Sequence, residues 1–170
     1  MSIEIFGKNI LGFLLYIIIQ LLIFNNIGIS SLEIVPVFYL IFLIMLPIET
    51  PKWMLLISAF FMGLSIDIFS DTSGLNAFST VLIAFLRPFV VQYLSPRGGY
   101  DTGTLPRIRI MGANWFIKYS GLLIFIHQFS YYFMENFGFE DFFYVFLKVI
   151  IGSIFTLILV ILSQYIIFRK

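Results

Sequence analysis

Long apolar runs, separated by short polar stretches, make up nearly the whole chain. Runs of this length indicate membrane-spanning helices, because a bilayer offers no water to the backbone groups of an open strand. We therefore predict one all-α domain over residues 1–170, a bundle of six transmembrane helices. The second run starts near Pro36 and is short, so we expect its helix to begin in the interface. The predicted helices cover Ile10–Phe24, Ile34–Ile48, Trp53–Phe69, Leu75–Leu94, Asn114–Phe133 and Phe142–Phe168.

The composition supports a membrane protein. Hydrophobic residues make up 61% of the chain and charged residues 11%, and the mean hydropathy is +1.04. Soluble domains have roughly 45–50% apolar and about 25% charged residues. The first run is read as a span and not as a cleaved signal peptide, because it carries Glu4 in front and ends in Asn25 and Asn26 without a small-residue cleavage site.

The charged residues between the runs predict the orientation of the chain. Lys and Arg are retained on the cytoplasmic side, whereas acidic residues are nearly indifferent. Basic residues occupy alternate connections, at Lys8, Lys52, Arg97, Arg107, Arg109, Arg169 and Lys170. The other connections carry Glu33, Asp71, Glu135, Glu140 and Asp141. Both termini are therefore predicted to be cytoplasmic.

The longest connection, residues 95–112, holds Arg97, Arg107 and Arg109. Two interpretations remain open for it. It is either a topology determinant that also touches anionic lipid headgroups, or a docking loop for a cytoplasmic protein. Its glycines match neither a phosphate-binding loop nor a dinucleotide fingerprint, and we expect no nucleic-acid partner.

Two charged side chains fall inside predicted helices, where each needs a partner or a route to water. Arg87 lies towards the cytoplasmic end of its helix, so we expect it to extend to the headgroups or to Glu49. Asp67 shares one side of its helix with Ala59, Gly63 and Asp71, which follow at intervals of four residues. Small residues permit close helix packing, so we expect Asp67 to point into the bundle.

A cation at the depth of Asp67 occurs in the sixth predicted helix. Lys148 begins a row of small and hydroxyl residues that continues with Gly152, Thr156 and Ser163. We predict that Asp67 and Lys148 form an intramembrane polar contact. The alternative is that Lys148 extends outward past Glu140 and Asp141.

The chain offers little catalytic or metal-binding chemistry. It has one histidine, His127, and no cysteine, so an imidazole and thiolate zinc set cannot be assembled. A membrane aspartyl dyad needs carboxylates from two helices, whereas Asp67 and Asp71 lie one turn apart on one helix. We therefore expect no enzyme activity, cofactor or metal.

The stretch from Leu46 to Pro88 resembles the bacterial rod shape-determining MreD family. The pattern consists of Gly63, the intramembrane Asp67, a polar turn, and then Gly74, Leu75 and Ala77. The same region holds further matches, at Glu49, Pro51, Arg87 and Pro88. This motif covers about a quarter of the chain, and the rest of the likeness is one of length and hydropathy.

The resemblance implies a non-enzymatic subunit of the cell-elongation machinery in the bacterial cytoplasmic membrane. Such a subunit binds MreC and works with MreB, RodA and a penicillin-binding transpeptidase. The resemblance also implies a six-helix fold like that of the substrate-binding subunits of energy-coupling-factor transporters. A transporter subunit of that kind is the alternative function.

A set of small or apolar residues is expected to form either a helix-packing surface or the surface that receives MreC. Its members are Ala59, Gly63, Gly74, Leu75 and Ala77.

Overall fold

The computed structural model describes residues 3–27, 34–136 and 141–166, with side chains from residue 11 onwards. This part of the chain contains helices and turns and no β-strand. The helices are α1 (Ile3–Leu22), α2 (Ile41–Met45), α3 (Lys52–Ser70), α4 (Leu75–Tyr93), α5 (Ile108–Met111), α6 (Ala113–Glu135) and α7 (Phe142–Ile166). Single turns of 3₁₀ helix occupy Phe24–Asn26 and Phe38–Leu40.

Three of the described helices, α3, α4 and α7, are long and apolar enough to cross a membrane. Their bounds agree with the predicted ones to within about two residues, which is within the usual disagreement over helix ends. The helix α1 starts before the predicted Ile10, and α6 has 23 residues. The complete bundle of six spans stays a prediction.

The predicted second helix, Ile34–Ile48, is wrong. Only the 3₁₀ turn Phe38–Leu40 and the short α2 form there, and together they extend about 13 Å, well short of the roughly 30 Å of a bilayer core. Two prolines explain the difference. A residue that precedes proline avoids the helical region, so Pro36 and Pro47 confine helix to the residues between them.

This short segment forms the centre of the hydrophobic core. Tyr39, Leu40, Ile41 and Ile44 are all completely buried. The antiparallel hairpin of α3 and α4 packs against it, α4 also packs against α6, and α6 packs against α7. The bundle therefore encloses a piece of chain whose backbone is only partly helical.

The two ends of the bundle differ in charge, and we name them by their residues. The basic end carries Lys52, Arg97, Arg107 and Arg109, and the acidic end carries Asp71, Glu135 and Asp141. The side chain of Lys8 lies outside the described residues, as do Glu33, Glu140, Arg169 and Lys170.

The long connection between α4 and α6 folds back onto the basic end. The Tyr100 hydroxyl donates to the Val91 carbonyl at 2.8 Å, and the Trp115 indole donates to Tyr100 at 3.2 Å. Burial raises the pKa of the Tyr100 phenol, which keeps the group protonated as a donor. The Ile48 amide also donates to the Thr104 carbonyl at 3.1 Å. The connection is thus tied to both α4 and the chain after α2.

Candidate functional site

Two residues of the motif bring α3 and α4 into close contact. Gly63 faces Ala77 and Asn76, and a Cβ atom on Gly63 would lie 2.5 Å from the Cα of Ala77. No real Cβ contact is that short, so the helices can cross here only over a glycine. Ala59 and Ala77 are buried, whereas Gly74 and Leu75 are half-buried. Gly63 and Ala77 therefore serve packing within the chain and are not exposed to a partner.

Asp67 closes the same hairpin by binding the start of α4. Its Oδ1 accepts from the amide of Asn76 at 3.0 Å, and its Oδ2 accepts from the amide of Ala77 at 2.8 Å. The Thr72 hydroxyl and the Asn76 side-chain amide also donate to Oδ1, at 2.5 and 3.1 Å. The first amides of a helix have no partner within it, and a carboxylate there also interacts favourably with the helix dipole.

The local sequence explains why α4 needs this outside carboxylate. The residue before α4 is Gly74, which has a φ of 88° and no side chain to cap the helix. A left-handed conformation of this kind favours glycine. Asp67, which lies in the last turn of α3, takes the place of the missing side-chain cap.

In the structure, Asp67 does not make the predicted contact with Lys148. Both oxygens of the Asp67 carboxylate bind donors from Thr72 and the start of α4. Lys148 is buried, and its Nζ lies 5.7 Å from the ring centre of Tyr132 and 5.2 Å from that of Tyr144. A helix N-terminus, and not a cation, balances the buried aspartate.

Arg87 also differs from its prediction as an anchor to the headgroups or Glu49. It is 1% exposed, and its Nε donates to the Tyr119 hydroxyl at 2.6 Å. Its Nη2 donates to the carbonyls of Leu46 and, at 3.3 Å, Pro47. The Tyr119 hydroxyl in turn donates to the Ile44 carbonyl at 3.1 Å. Arg87 therefore binds the C-terminal end of α2, where carbonyls lack partners and a positive charge is favourable.

The other predicted residues of the basic end lie on or beside the long connection. Glu49 is exposed, and its carboxylate accepts from the Gly103 amide at 3.2 Å. Arg97 is exposed in the turn after α4, Arg107 is half-buried just before α5, and Arg109 is exposed in α5.

A buried polar cluster around Tyr39 joins four parts of the chain. The Tyr39 hydroxyl lies 3.0 Å from the Asn76 side-chain oxygen, 3.1 Å from the Thr80 hydroxyl and 2.9 Å from His127 Nε2. Asn76 also binds Asp67. The sequence analysis did not single out Tyr39, Asn76 or Thr80. Polar residues at four-residue spacing in α4 were the available signal, because Asn76 and Thr80 point to one side of that helix.

A cavity of about 300 Å³ opens beside this cluster near the acidic end. Its wall includes Asn25, Ser70, Thr72 and Asn76, together with Gln128 and Tyr131 of α6. Its described lining contains no Asp, Glu, Lys or Arg. In the described part of the chain, no group of three or more potential metal-ligating side chains gathers.

Neither a family model, a curated protein nor a solved structure matches the chain. The candidate site is therefore interpreted from its own geometry and from the motif in the sequence.

Proposed function

We propose that this chain is a non-enzymatic membrane subunit of the bacterial cell-elongation complex, which regulates cell shape and peptidoglycan synthesis by binding MreC. Through MreC it would work with MreB, RodA and a penicillin-binding transpeptidase. The observation that carries the proposal is the hairpin of α3 and α4. The motif residues that resemble MreD, from Gly63 through Asp67 to Ala77, make the contacts that hold this hairpin together.

The proposed location is the bacterial cytoplasmic membrane, with six spans, both termini in the cytoplasm and membrane lipid around the bundle. Three helices of sufficient length and apolarity support the membrane location. The separation of basic and acidic residues between the two ends supports the orientation. The proposed likeness to energy-coupling-factor substrate-binding subunits rests on the resemblance of the motif.

The surface proposed for MreC is the outward side of the same hairpin. Gly63 and Ala77 are used inside the chain, so the partner must contact residues on the other side of these helices. Ile68 is 66% exposed and Phe69 is 71% exposed. A shallow groove next to them is lined by Ile68, Asp71 and Ser73, among others. This surface combines apolar side chains with a polar edge at the acidic end, which suits a transmembrane helix that continues into a periplasmic stem.

Affinity purification from detergent-solubilised native membranes tests the proposal. The tagged chain is expected to recover MreC, and an Ile158→Ala variant serves as a matched control that keeps the recovery, because Ile158 is exposed on α7, outside the proposed surface. Recovery of ATP-binding transporter subunits without MreC would contradict the elongation role.

The second candidate function is that of a membrane-embedded substrate-binding subunit of a transporter. The cavity near the acidic end favours it, because a polar cavity inside a membrane protein is typical of a substrate site. The purification distinguishes the two functions, since a transporter subunit is expected to recover an ATP-binding partner.

A further inference from the structure

The backbone before α2 is non-helical, and side chains from other helices form hydrogen bonds with it. Gln20 of α1 donates to the Pro36 carbonyl at 2.9 Å and accepts from the Tyr39 amide at 3.2 Å. Thr156 of α7 accepts from the Val37 amide at 3.1 Å. These bonds satisfy a non-helical backbone inside the bundle. Irregular backbone at membrane depth occurs where it is buried in protein or lines a cavity.

The cavity of about 300 Å³ lies against this open backbone, and Val35, Val37 and Tyr39 line it. Its volume is at the lower end of the range for ligand pockets, and corresponds to roughly ten water molecules. The site therefore suits a small molecule and is too small for a peptide or a lipid chain.

The polar groups of the wall are uncharged. Ser70 accepts from the Asn25 side-chain amide at 2.9 Å, which leaves its own hydroxyl proton for another acceptor. The side-chain nitrogen of Gln128 donates to the Thr156 hydroxyl at 3.5 Å, and no described hydrogen bond involves the Gln128 side-chain oxygen. The wall thus presents at least one donor and one acceptor.

Part of the wall is aromatic or aliphatic. The Tyr131 ring stacks on His127 with their centres 6.4 Å apart, and Val35 and Ile66 also line the cavity. A planar apolar group packs well against the Tyr131 ring, whereas an ionised group would lose its water and meet no opposite charge in the described lining.

We propose that this cavity binds a small uncharged molecule that carries a planar apolar part and an amide or hydroxyl group. The ligand contacts Ser70 and Gln128 through its polar group and Tyr131 through its planar part. The cavity lies near the acidic end, which is predicted to face the outside. The inference applies both to an elongation subunit and to a transporter subunit, so it does not rest on the proposed function.

A matched pair of probes tests the proposed ligand class. Saturation-transfer NMR of the purified full chain in detergent micelles is recorded with 4-hydroxyphenylacetamide and with 4-hydroxyphenylacetate, which have the same shape and differ in charge. The amide is expected to give a signal above that of empty micelles and at least about fivefold above that of the carboxylate. Equal signals for the two probes, or no signal from the amide at millimolar concentration, would overturn the proposal.

Two variants locate the binding within the protein. Val35→Phe places a bulkier side chain in the wall of the cavity, and Ser70→Ala removes one donor with little change in volume, so the amide signal is expected to fall severalfold in both variants. Ile158→Phe makes a similar change at an exposed position of α7 and is expected to leave the signal unchanged. An unchanged amide signal in both Val35→Phe and Ser70→Ala would show that the probe binds elsewhere and would overturn the proposal. None of these readouts depends on MreC, so failure here is distinguishable from failure of the proposed function.

Discussion

Replacement of Asp67 by asparagine removes one acceptor oxygen and the charge from the start of α4. If the remaining oxygen takes the place of Oδ1, the amide nitrogen faces the Ala77 N–H, which loses its 2.8 Å hydrogen bond. A buried donor without a partner costs about 1–3 kcal/mol. The lost interaction of the charge with the helix N-terminus costs a further 0.3–2 kcal/mol, roughly. The variant is therefore expected to lose about 2–4 kcal/mol of folding free energy.

The assay is thermal unfolding of the detergent-solubilised protein, followed by size-exclusion chromatography with fluorescence detection. For soluble domains of this size, 1 kcal/mol corresponds to about 2–4 °C in the unfolding midpoint. On that scale, Asp67→Asn is expected to lower the midpoint by roughly 5–15 °C. Asp67→Ala, which removes both oxygens, is expected to lower it further.

The matched control is Asp71→Asn, four residues later and directly after the end of α3. Asp71 is exposed and has a φ of 53°, a left-handed conformation that asparagine adopts as readily as aspartate. Its midpoint is expected to stay near that of the wild type, because exposed substitutions of this kind change stability by about 0.5 kcal/mol or less. Equal midpoints for the Asp67→Asn and Asp71→Asn proteins would refute the capping role of Asp67.

Two further predictions use the same unfolding assay. Gly63→Ala is expected to destabilise the protein by at least about 1–3 kcal/mol, because its Cβ would collide with the backbone of Ala77. Gly12→Ala, whose added Cβ meets no atom within 4 Å, is expected to be neutral or stabilising. A lower unfolding midpoint for the Gly12→Ala protein than for the Gly63→Ala protein would contradict the close crossing. Tyr119→Phe removes the hydroxyl between Arg87 and α2, so a loss of about 1–3 kcal/mol is expected. An unchanged midpoint would show that this hydroxyl does not support the buried arginine.

The helices α3, α4 and α7 could be predicted from the sequence because each is an apolar run long enough to cross a bilayer. The region of α2 could not be predicted from hydropathy. Its residues are apolar enough for a span, but Pro36 and Pro47 limit the length of the helix. Gln20 and Thr156, from distant parts of the chain, form hydrogen bonds with the non-helical backbone.

The two buried charges show a second limit of sequence reasoning. The sequence predicts partners for Asp67 and Arg87 among opposite charges and headgroups, and both side chains are buried. The structure supplies helix ends instead, the amides at the start of α4 and the carbonyls after α2. Gly74 was the available signal for Asp67, because a helix that starts after glycine has no side-chain cap of its own.

Site-specific photo-crosslinking in living cells tests the central claim, that this chain acts by binding MreC through the outward side of the α3 and α4 hairpin. A photoreactive phenylalanine analogue is placed at Ile68, and at the exposed Ile158 of α7 as the control. The account predicts an adduct with MreC from position 68 and none from position 158. An adduct with a transporter ATP-binding subunit, or no MreC adduct from position 68, would contradict it.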